Sequence, residues 1–190
     1  MKPSLIILGL GNPGTAYAKT RHNLGFWGVD ALSQVFGTGD WKEQQKFLAL
    51  TQEARILTFP ILLVKPLTYM NDSGEAAKKL VEFYKLQSSE QLLVIVDDID
   101  LPLGELRFRK TGGPGTHNGL KSLVLQFGEN FPRLRIGLGE KPAGADLATW
   151  VLSSPTKEET EVLRKAAQSL PDRVKSYVLE QGGSEESPAD

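Results

Sequence analysis

The chain alternates between short, wholly apolar runs and longer segments in which apolar residues recur every three or four positions. A short apolar run predicts a strand buried on both faces, and the longer recurrence predicts an amphipathic helix. The alternation indicates an α/β fold, a single-domain sandwich with a central mixed, mostly parallel sheet flanked by helices. We predict strands at residues 5–8, 47–52, 55–59, 61–64, 92–96, 106–109 and 134–138, and helices at 23–37, 74–85 (with Ser73 as N-cap), 117–128 and for roughly 25 residues from near 156.

Length and composition are those of one globular domain. The chain has 190 residues, of which 40% are hydrophobic and 24% charged, so it can bury a core without cross-links. We therefore predict one folded domain over residues 1–181. Residues 182–190 are rich in glycine, serine, glutamate and proline, which predicts a disordered acidic tail.

Several functional classes are excluded by what the chain lacks. It has no cysteine, which excludes disulfides, thiolate nucleophiles and cysteine-metal sites, and its two histidines argue against a multi-histidine zinc site. No run approaches the ~20 apolar residues of a membrane span, and no signal peptide is recognisable. We expect a cytoplasmic protein without membrane contact. The net charge of −1 means that nucleic-acid binding would require a local basic patch.

Both histidines lie in segments rich in glycine and asparagine. Residues 9–25 read GLGNPGTAYAKTRHNLG and contain His22, and residues 112–122 read GGPGTHNGLKS and contain His117. Histidine exchanges protons near neutral pH, and glycine turns let the backbone approach a ligand closely. Asparagine amides can stabilise a developing oxyanion. These two segments are therefore predicted to form one functional site.

His22 has a candidate partner in Asp97, which follows the most apolar of the predicted strands. A carboxylate bonded to one imidazole nitrogen fixes the tautomer and makes the other nitrogen more basic. No nucleophile motif such as G-x-S-x-G accompanies the pair, which favours activation of water with His22 as general base. A structural role for His22, such as a helix cap, is the alternative. For His117 two interpretations stay open, because it could bind substrate or hold the glycine loop.

Polar residues also follow other predicted strands. Asn12, Asp97 and Asn71 come after predicted strands, and functional residues of open α/β sheets gather at the carboxyl ends of strands. We therefore expect them at one rim of the sheet. Asn71 could instead be a turn or cap residue. Met70 could be core filler or an apolar wall for a ligand.

Two cofactor alternatives receive less support. The pattern G-x-G-x-x-G at residues 9–14 follows a strand, as in dinucleotide-binding proteins, but the acidic residue at the right distance, Asp30, falls inside a predicted helix. Asp97, Asp98 and Asp100 could hold magnesium, but no Walker sequence accompanies them. We prefer Asp97 as the partner of His22 and predict neither a metal nor a cofactor.

A local basic patch flanks the second glycine-rich segment. Arginines two positions apart on a strand lie on one face, where they could clamp a phosphate. Such contacts give salt-sensitive affinity for nucleic acid that is independent of sequence, although a solvated surface is the alternative. The patch consists of Arg107, Arg109, Lys110, Lys121, Arg133 and Arg135.

In combination these motifs resemble the bacterial-type peptidyl-tRNA hydrolase family. The resemblance runs from Leu5 to near Tyr177 and includes GLGNPGTAYAKTRHNLGF, KPLTYMNDSG, VDDIDLPLGELRFRKTGG, HNGLKS and RLRIGLG in the family's order. It implies a monomeric α/β enzyme with a mixed sheet. It also implies metal-free cleavage of the ester that joins the C-terminal carboxyl of a peptide to the terminal ribose of tRNA.

The resemblance also implies roles for single positions. His22 would be the general base and Asp97 its partner, while the asparagines would hold the peptide and the terminal adenosine and stabilise the tetrahedral intermediate. Arg107 and Arg135, with Arg109 beside them, would clamp the 5′-phosphate of tRNA. The predicted catalytic residues are His22, Asp97 and Asn12, and the predicted substrate-binding residues are Tyr17, Met70, Asn71, His117, Asn118, Arg107, Arg109, Lys121 and Arg135.

The chain departs from the family's pattern in the second glycine-rich segment, where it carries Pro114 and Thr116. Proline fixes φ and threonine disfavours positive φ, so both residues restrict the shape of this loop. The rival to an enzyme is a non-catalytic RNA-binding relative of the kind that assists intron splicing in plant organelles. The joint presence of the asparagines, His22 and Asp97 favours the enzyme.

Overall fold

A computed structural model describes residues 2–183, which form a seven-stranded sheet with helices on both faces. No helix in this range is long and apolar enough to cross a membrane. In chain order the strands are β1 (Leu5–Gly9), β2 (Lys42–Gln44), β3 (Ala49–Ile56), β4 (Phe59–Pro66), β5 (Leu92–Asp98), β6 (Leu106–Arg109) and β7 (Arg133–Gly137), and the helices are α1 (Leu24–Phe36), α2 (Ser73–Tyr84), α3 (Asn118–Phe127), α4 (Leu147–Val151) and α5 (Lys157–Gly183).

The sheet is parallel at its centre and antiparallel at both edges. Its strand order is β2-β3-β4-β1-β5-β7-β6. Strands β4, β1, β5 and β7 pair in parallel, whereas β2, β3 and β6 are attached antiparallel. The central strands are continuous apolar runs because helices cover both of their faces. The predicted α/β sandwich with a mixed sheet is confirmed.

Two apolar cores, one on each face, hold the sheet. Helices α1, α4 and α5 cover one face, where Leu32, Ile95 and Leu170 are fully buried. Helices α2 and α3 cover the other, where Leu8 and Leu80 are fully buried. Burying one such side chain contributes about 1.5–3 kcal/mol. The strand ends are therefore a rigid support for residues at the rim.

Some local predictions differ from the structure. The segments predicted at 55–59 and 61–64 belong to one β3–β4 hairpin, which turns at Leu57 with a positive φ of 55°. Ser73 does not cap α2, because its hydroxyl donates to the Met70 carbonyl at 2.9 Å. The five-residue α4 and three-residue β2 were not predicted, since such short elements show no periodicity. Helix α5 continues to Gly183, past the predicted boundary at 181, and residues 184–190 of the predicted tail lie outside the described residues.

The carboxyl ends of β1, β4 and β5 lie side by side at one rim, because these strands are parallel neighbours. The segments that follow β1 and β4 touch, since Asn12 Oδ1 accepts a hydrogen bond from the Met70 backbone N–H at 2.8 Å. Asp97 is the last residue but one of β5. The expected gathering of these segments at one rim is confirmed.

Candidate active site

Close backbone packing brings the two halves of the first glycine-rich segment together. Gly25 lies in the first turn of α1, where an added Cβ would lie 2.4 Å from the Leu10 nitrogen and 2.5 Å from the Ile95 carbonyl oxygen. Only glycine permits this approach. Helix α1 therefore begins directly against the ends of β1 and β5, and the turn at Arg21–Asn23 lies against Asn12.

A pair of amide hydrogen bonds fixes Asn12. Its backbone N–H donates to Asn23 Oδ1, and Asn23 Nδ2 donates to the Asn12 carbonyl, both at 2.9 Å. Because Asn12 Oδ1 accepts from Met70 N–H, the direction of the amide is set. Its Nδ2 group has no acceptor among the described residues. Asn23 directly follows His22 in the chain, but its sequence position did not indicate this role.

One carboxylate holds both histidines. His22 Nδ1 lies 3.0 Å from Asp97 Oδ2, and His117 Nε2 lies 3.1 Å from Asp97 Oδ1. The two imidazole rings are inclined at 50° to each other, with centroids 4.6 Å apart. The predicted partners His22 and Asp97 are thus in direct contact, and His117 is a second partner that the sequence did not indicate.

Hydrogen bonds assign the protons on both rings. His117 Nδ1 accepts the Leu120 backbone N–H at 3.3 Å and so caps α3, which puts the proton of the neutral ring on Nε2, toward Asp97. With Nδ1–H of His22 likewise donated to Asp97, the Nε2 lone pair of His22 has no partner among the described residues. An imidazole with a fixed tautomer and an unoccupied basic nitrogen has the form of a general base.

Burial and pairing act in opposite directions on the pKa values of this group. Burial lowers the pKa of His22, but the charge and hydrogen bond of Asp97 together outweigh it and raise this pKa above its ordinary 6.5. Burial raises the pKa of Asp97, yet the two histidines hold it well below its usual range. Asp97 is therefore ionised at physiological pH, and its charge favours the protonated form of His22.

A cavity of about 550 Å³ opens beside the histidines. Its wall includes His22 and His117 together with Arg109, Arg135 and residues of α4. The volume is typical of a ligand site. The cavity therefore joins the histidine pair to two of the arginines that the sequence predicts to bind phosphate.

Two arginines of the predicted basic patch are already engaged by the protein. Arg133 is 2% exposed, and its terminal nitrogens donate to three backbone carbonyls around the glycine loop. Arg107 lies outside the cavity wall and binds Glu105 through Nε, at 3.0 Å, and through a terminal nitrogen. Arg133 therefore supports the loop, and Arg107 forms an exposed ion pair away from the cavity wall.

The other two arginines are available on the cavity wall. Arg109 has no hydrogen-bond partner in the described part of the chain, and Arg135 is held only through Nε, by Asp98. The terminal nitrogens of Arg135 are thus open to a ligand. Of the three arginines predicted to bind phosphate, Arg109 and Arg135 lie on the cavity wall and Arg107 does not.

The glycine loop accommodates both unusual residues. Positive φ values within the loop fall on Gly112 at 153° and Gly115 at 54°, and not on Thr116. The Pro114 carbonyl accepts the His117 N–H at 3.2 Å. Proline and threonine therefore leave the turns to glycine, and the loop still delivers His117 to the start of α3.

The remaining predicted substrate-binding residues differ in exposure. Tyr17 is half-buried and packs edge-on against the exposed ring of Tyr69, with centroids 6.2 Å apart. Met70 is 4% exposed and belongs to the core, which favours the core-filler interpretation. The exposed polar residues of this set are Asn71, Asn118 and Lys121, and Lys121 Nζ donates to Asn118 Oδ1 at 3.4 Å.

One cluster within residues 2–183 has the spacing of metal ligands. One ligand atom each from His22, Asp97 and His117 lie within 4.8 Å of one another. A metal binds histidine through an unprotonated nitrogen. His22 Nδ1 and His117 Nε2, the nitrogens that face Asp97, instead carry the protons that they donate to this carboxylate. His117 Nδ1 also accepts from Leu120, so the ring cannot move its proton there without losing this bond. The donor set therefore fits a hydrogen-bonded triad better than a metal.

The structure has a suitable arrangement neither for magnesium at the aspartates that end β5 nor for a dinucleotide at residues 9–14. Asp97 binds the histidines, whereas Asp98 binds an arginine, so the acidic residues do not converge on one ion. Residues 9–14 do not open a helix, because α1 begins only at Leu24. Asp30 lies within α1 and pairs with a lysine. A dinucleotide phosphate would therefore lack the helix N-terminus that binds it in such proteins.

A buried arginine beside His22 also escaped the sequence analysis. Arg21 is 6% exposed, donates to Ser153 Oγ at 2.7 Å and pairs with Glu159 at 2.6 Å, and its guanidinium lies over the Trp150 ring. These contacts tie the turn that carries His22 to the α4–α5 junction. No local signal could identify this role, because Ser153 lies 132 positions away along the chain.

Comparison with known proteins identifies the family of this chain. The sequence profile described as peptidyl-tRNA hydrolase matches residues 6–187. A curated peptidyl-tRNA hydrolase of Fervidobacterium nodosum is 43% identical over 94% of this chain and 91% of its own length, and one of Chloroflexus aggregans is 46% identical over 92% and 93%. The crystal structure of peptidyl-tRNA hydrolase from Acinetobacter baumannii has a TM-score of 0.87 at 35% identity, covering 97% of this chain and 93% of that one. The chain therefore belongs to the peptidyl-tRNA hydrolase family.

Proposed function

We propose that this chain hydrolyses the ester between a peptide, or an N-blocked aminoacyl group, and the 3′-terminal ribose of tRNA, releasing free tRNA for reuse in translation. The main support for this proposal is the arrangement of His22, whose Nδ1 is held by a buried carboxylate and whose ring lies on the wall of a cavity. Membership of the family supports the reaction class. We propose that no metal or cofactor takes part.

Water is the nucleophile in the proposed reaction. His22 Nε2 removes a proton from water, and the water oxygen attacks the ester carbonyl. The Asn12 amide, with other nearby N–H groups, stabilises the tetrahedral oxyanion. The bond to the ribose oxygen then breaks, and the imidazolium returns its proton to that oxygen while Asp97 stays ionised. Each proton-transfer or oxyanion contribution accelerates the reaction by about 10²–10⁴-fold.

The tRNA end is proposed to follow the cavity wall. Arg109 and Arg135 bind the 5′-phosphate, since both have terminal nitrogens without partners among the described residues. The exposed amides of Asn71 and Asn118, with Tyr17, contact the peptide and terminal adenosine. We expect a cytoplasmic monomer, in keeping with a substrate produced by translation.

Release of free tRNA from a peptidyl-tRNA tests the proposed function directly. We expect the wild-type protein to release tRNA over many turnovers, at the same rate with and without a chelator. Binding of the RNA without turnover would instead support the non-catalytic RNA-binding role. Loss of turnover in the chelator would refute the metal-free mechanism.

Asn12→Asp is expected to lower kcat by about 10²–10³-fold, the cost of losing one oxyanion donor. Aspartate keeps an oxygen that can accept the Met70 N–H, but it removes the Nδ2 donor and adds a negative charge near the oxyanion. Single-turnover release of tRNA measures the effect, and an unchanged melting temperature serves as the folding control. Activity within a few-fold of wild type would exclude Asn12 as an oxyanion donor.

His117 can be tested with two variants that each keep one of its contacts. Asparagine is a strong N-cap, so His117→Asn keeps the bond from Leu120 N–H but loses the donor to Asp97. We expect kcat to fall by about 10-fold, the value of one hydrogen bond to a charged group, together with a loss of stability because the buried carboxylate loses a donor. His117→Gln can still reach Asp97 but loses the cap, so we expect nearly full activity and a loss of about 1 kcal/mol in stability.

The opposite pattern would change the role of His117. If His117→Gln lost activity while His117→Asn kept it, the cap would matter for function and the contact with Asp97 would not. Thermal melting and single-turnover kinetics on both variants separate these outcomes.

A further inference from the structure

We propose that Asp98 is a positioning residue for phosphate recognition, because it holds Arg135 through Nε and leaves both terminal nitrogens to bind the 5′-phosphate of tRNA. This inference rests on the proposed function and adds the residue that orients the phosphate contact. Asp98 Oδ2 accepts Arg135 Nε–H, while its Oδ1 accepts the backbone N–H of Asp100 at 2.8 Å. The carboxylate is itself fixed at both oxygens and can therefore fix the guanidinium.

A neighbouring ion pair shows what distinguishes this contact. The side chains of Asp98 and Arg135 are 13% and 19% exposed, whereas those of Glu105 and Arg107 are 37% and 45% exposed. A partly buried pair is less screened and holds one geometry better than an exposed pair. In addition, Glu105 occupies both Nε and a terminal nitrogen of Arg107, whereas Asp98 occupies only Nε of Arg135. Of these two arginines, Arg135 is the one that retains a free two-nitrogen edge that can bind phosphate in a bidentate manner.

Strand β5 places this contact at a set distance from the histidines. Asp97 and Asp98 are consecutive residues at the end of β5, which is paired on one side with β1 and on the other with β7. Asp97 holds the histidines and Asp98 holds Arg135. One peptide unit of a central strand therefore links the hydrolytic centre to the phosphate contact. A substrate whose ester and phosphate have the matching separation can satisfy both at once.

Removal of Asp98 would change the affinity for phosphate in opposite directions, depending on whether Asp98 acts only through its negative charge or positions Arg135. As a bare charge, Asp98 repels phosphate, so its removal would strengthen binding. As a positioning residue, its removal lets Arg135 rotate and weakens binding, because bidentate recognition benefits from a fork that is already oriented. Asp98→Asn separates the two, since asparagine keeps the acceptor for Asp100 N–H but can place an NH₂ group against Arg135 Nε–H.

The experiment compares kcat and KM for an N-blocked aminoacyl-tRNA that carries a 5′-phosphate and for the same tRNA after phosphatase treatment. For Asp98→Asn we expect KM for the phosphorylated substrate to rise by about 10-fold, as for loss of a charge-assisted bidentate contact, with little change for the dephosphorylated one. Arg135→Lys, which keeps the charge but loses the fork, is expected to behave in the same way. Glu105→Gln removes the same charge from the exposed pair and is the matched control, with no change expected.

The outcomes distinguish the inference from the proposed function. A KM for the phosphorylated substrate that falls or stays constant in Asp98→Asn would overturn the positioning role, and so would an equal loss with both substrates. A wild-type enzyme that treats both tRNA ends alike would refute the phosphate contact while leaving hydrolysis intact. A wild-type protein that releases no tRNA would refute the proposed function itself.

Discussion

Replacing His22 with alanine is expected to lower kcat for peptidyl-tRNA by about 10²–10⁴-fold, the usual contribution of a general base. Among the described residues, His22 carries the one imidazole with an unoccupied nitrogen on the cavity wall. His117 cannot take its place, because Asp97 and Leu120 engage both of its ring nitrogens. Single-turnover release of tRNA with excess enzyme, with and without a chelator, measures the effect.

The alanine variant needs a folding control, since His22 is 8% exposed and touches Asp97. A melting temperature near that of wild type and retained binding of peptidyl-tRNA would show that only chemistry is lost. Hydrolysis that survives chelation but collapses in His22→Ala supports metal-free general-base catalysis. Persistent activity in the variant would show that another group is the general base. It would not affect the assignment of the chain to the family.

Asp97→Asn is expected to reduce kcat/KM by about 10²–10⁴-fold at neutral pH, because an amide neither selects the His22 tautomer nor stabilises the imidazolium. It should also move the acid limb of the pH profile. The charge and hydrogen bond of Asp97 raise the pKa of His22 above 6.5. Wild-type kcat/KM should therefore fall as the pH is lowered, with the midpoint of this fall at a pH above 6.5. Without that charge, burial dominates and the midpoint should move to lower pH.

A pH profile of kcat/KM for both proteins checks this prediction, since it reports the free enzyme. An unchanged midpoint in Asp97→Asn would mean that His22 is not the group that titrates. The matched variant is His117→Asn, which removes a different partner of the same carboxylate and leaves the His22–Asp97 pair in place.

The shifted pKa values of Asp97 and His22 also make the stability of the fold depend on pH in a predictable direction. Because the pKa of Asp97 is lowered in the folded state, its contribution to stability is present above its unfolded pKa and is lost as the pH falls toward the folded value. Because the pKa of His22 is raised, its contribution is present below 6.5 and is lost as the pH rises through the folded value. Melting temperatures of wild type and Asp97→Asn should therefore converge in strong acid.

Local spacing along the chain was enough to predict much of the fold and part of the site. The apolar runs at β1, β4 and β5 predicted buried strands, and the polar residues that follow them predicted one rim. Asn12 and Asp97 were identifiable because Asn12 lies three residues after β1 and Asp97 lies at the end of β5. These features depend on neighbouring residues only, because side-chain periodicity reports which face of an element is buried.

Other properties of the site depended on contacts between distant positions. The sequence alone determined the alternating α/β architecture, the family motifs and the candidacy of His22 and Asp97. Only the tertiary structure decided that His117 shares Asp97, that Arg109 rather than Arg107 lines the cavity beside Arg135, and that Asp98 holds Arg135. The reason is physical: whether a charged side chain is free or paired depends on which strands are neighbours and in what register, and residues far apart in the chain set both.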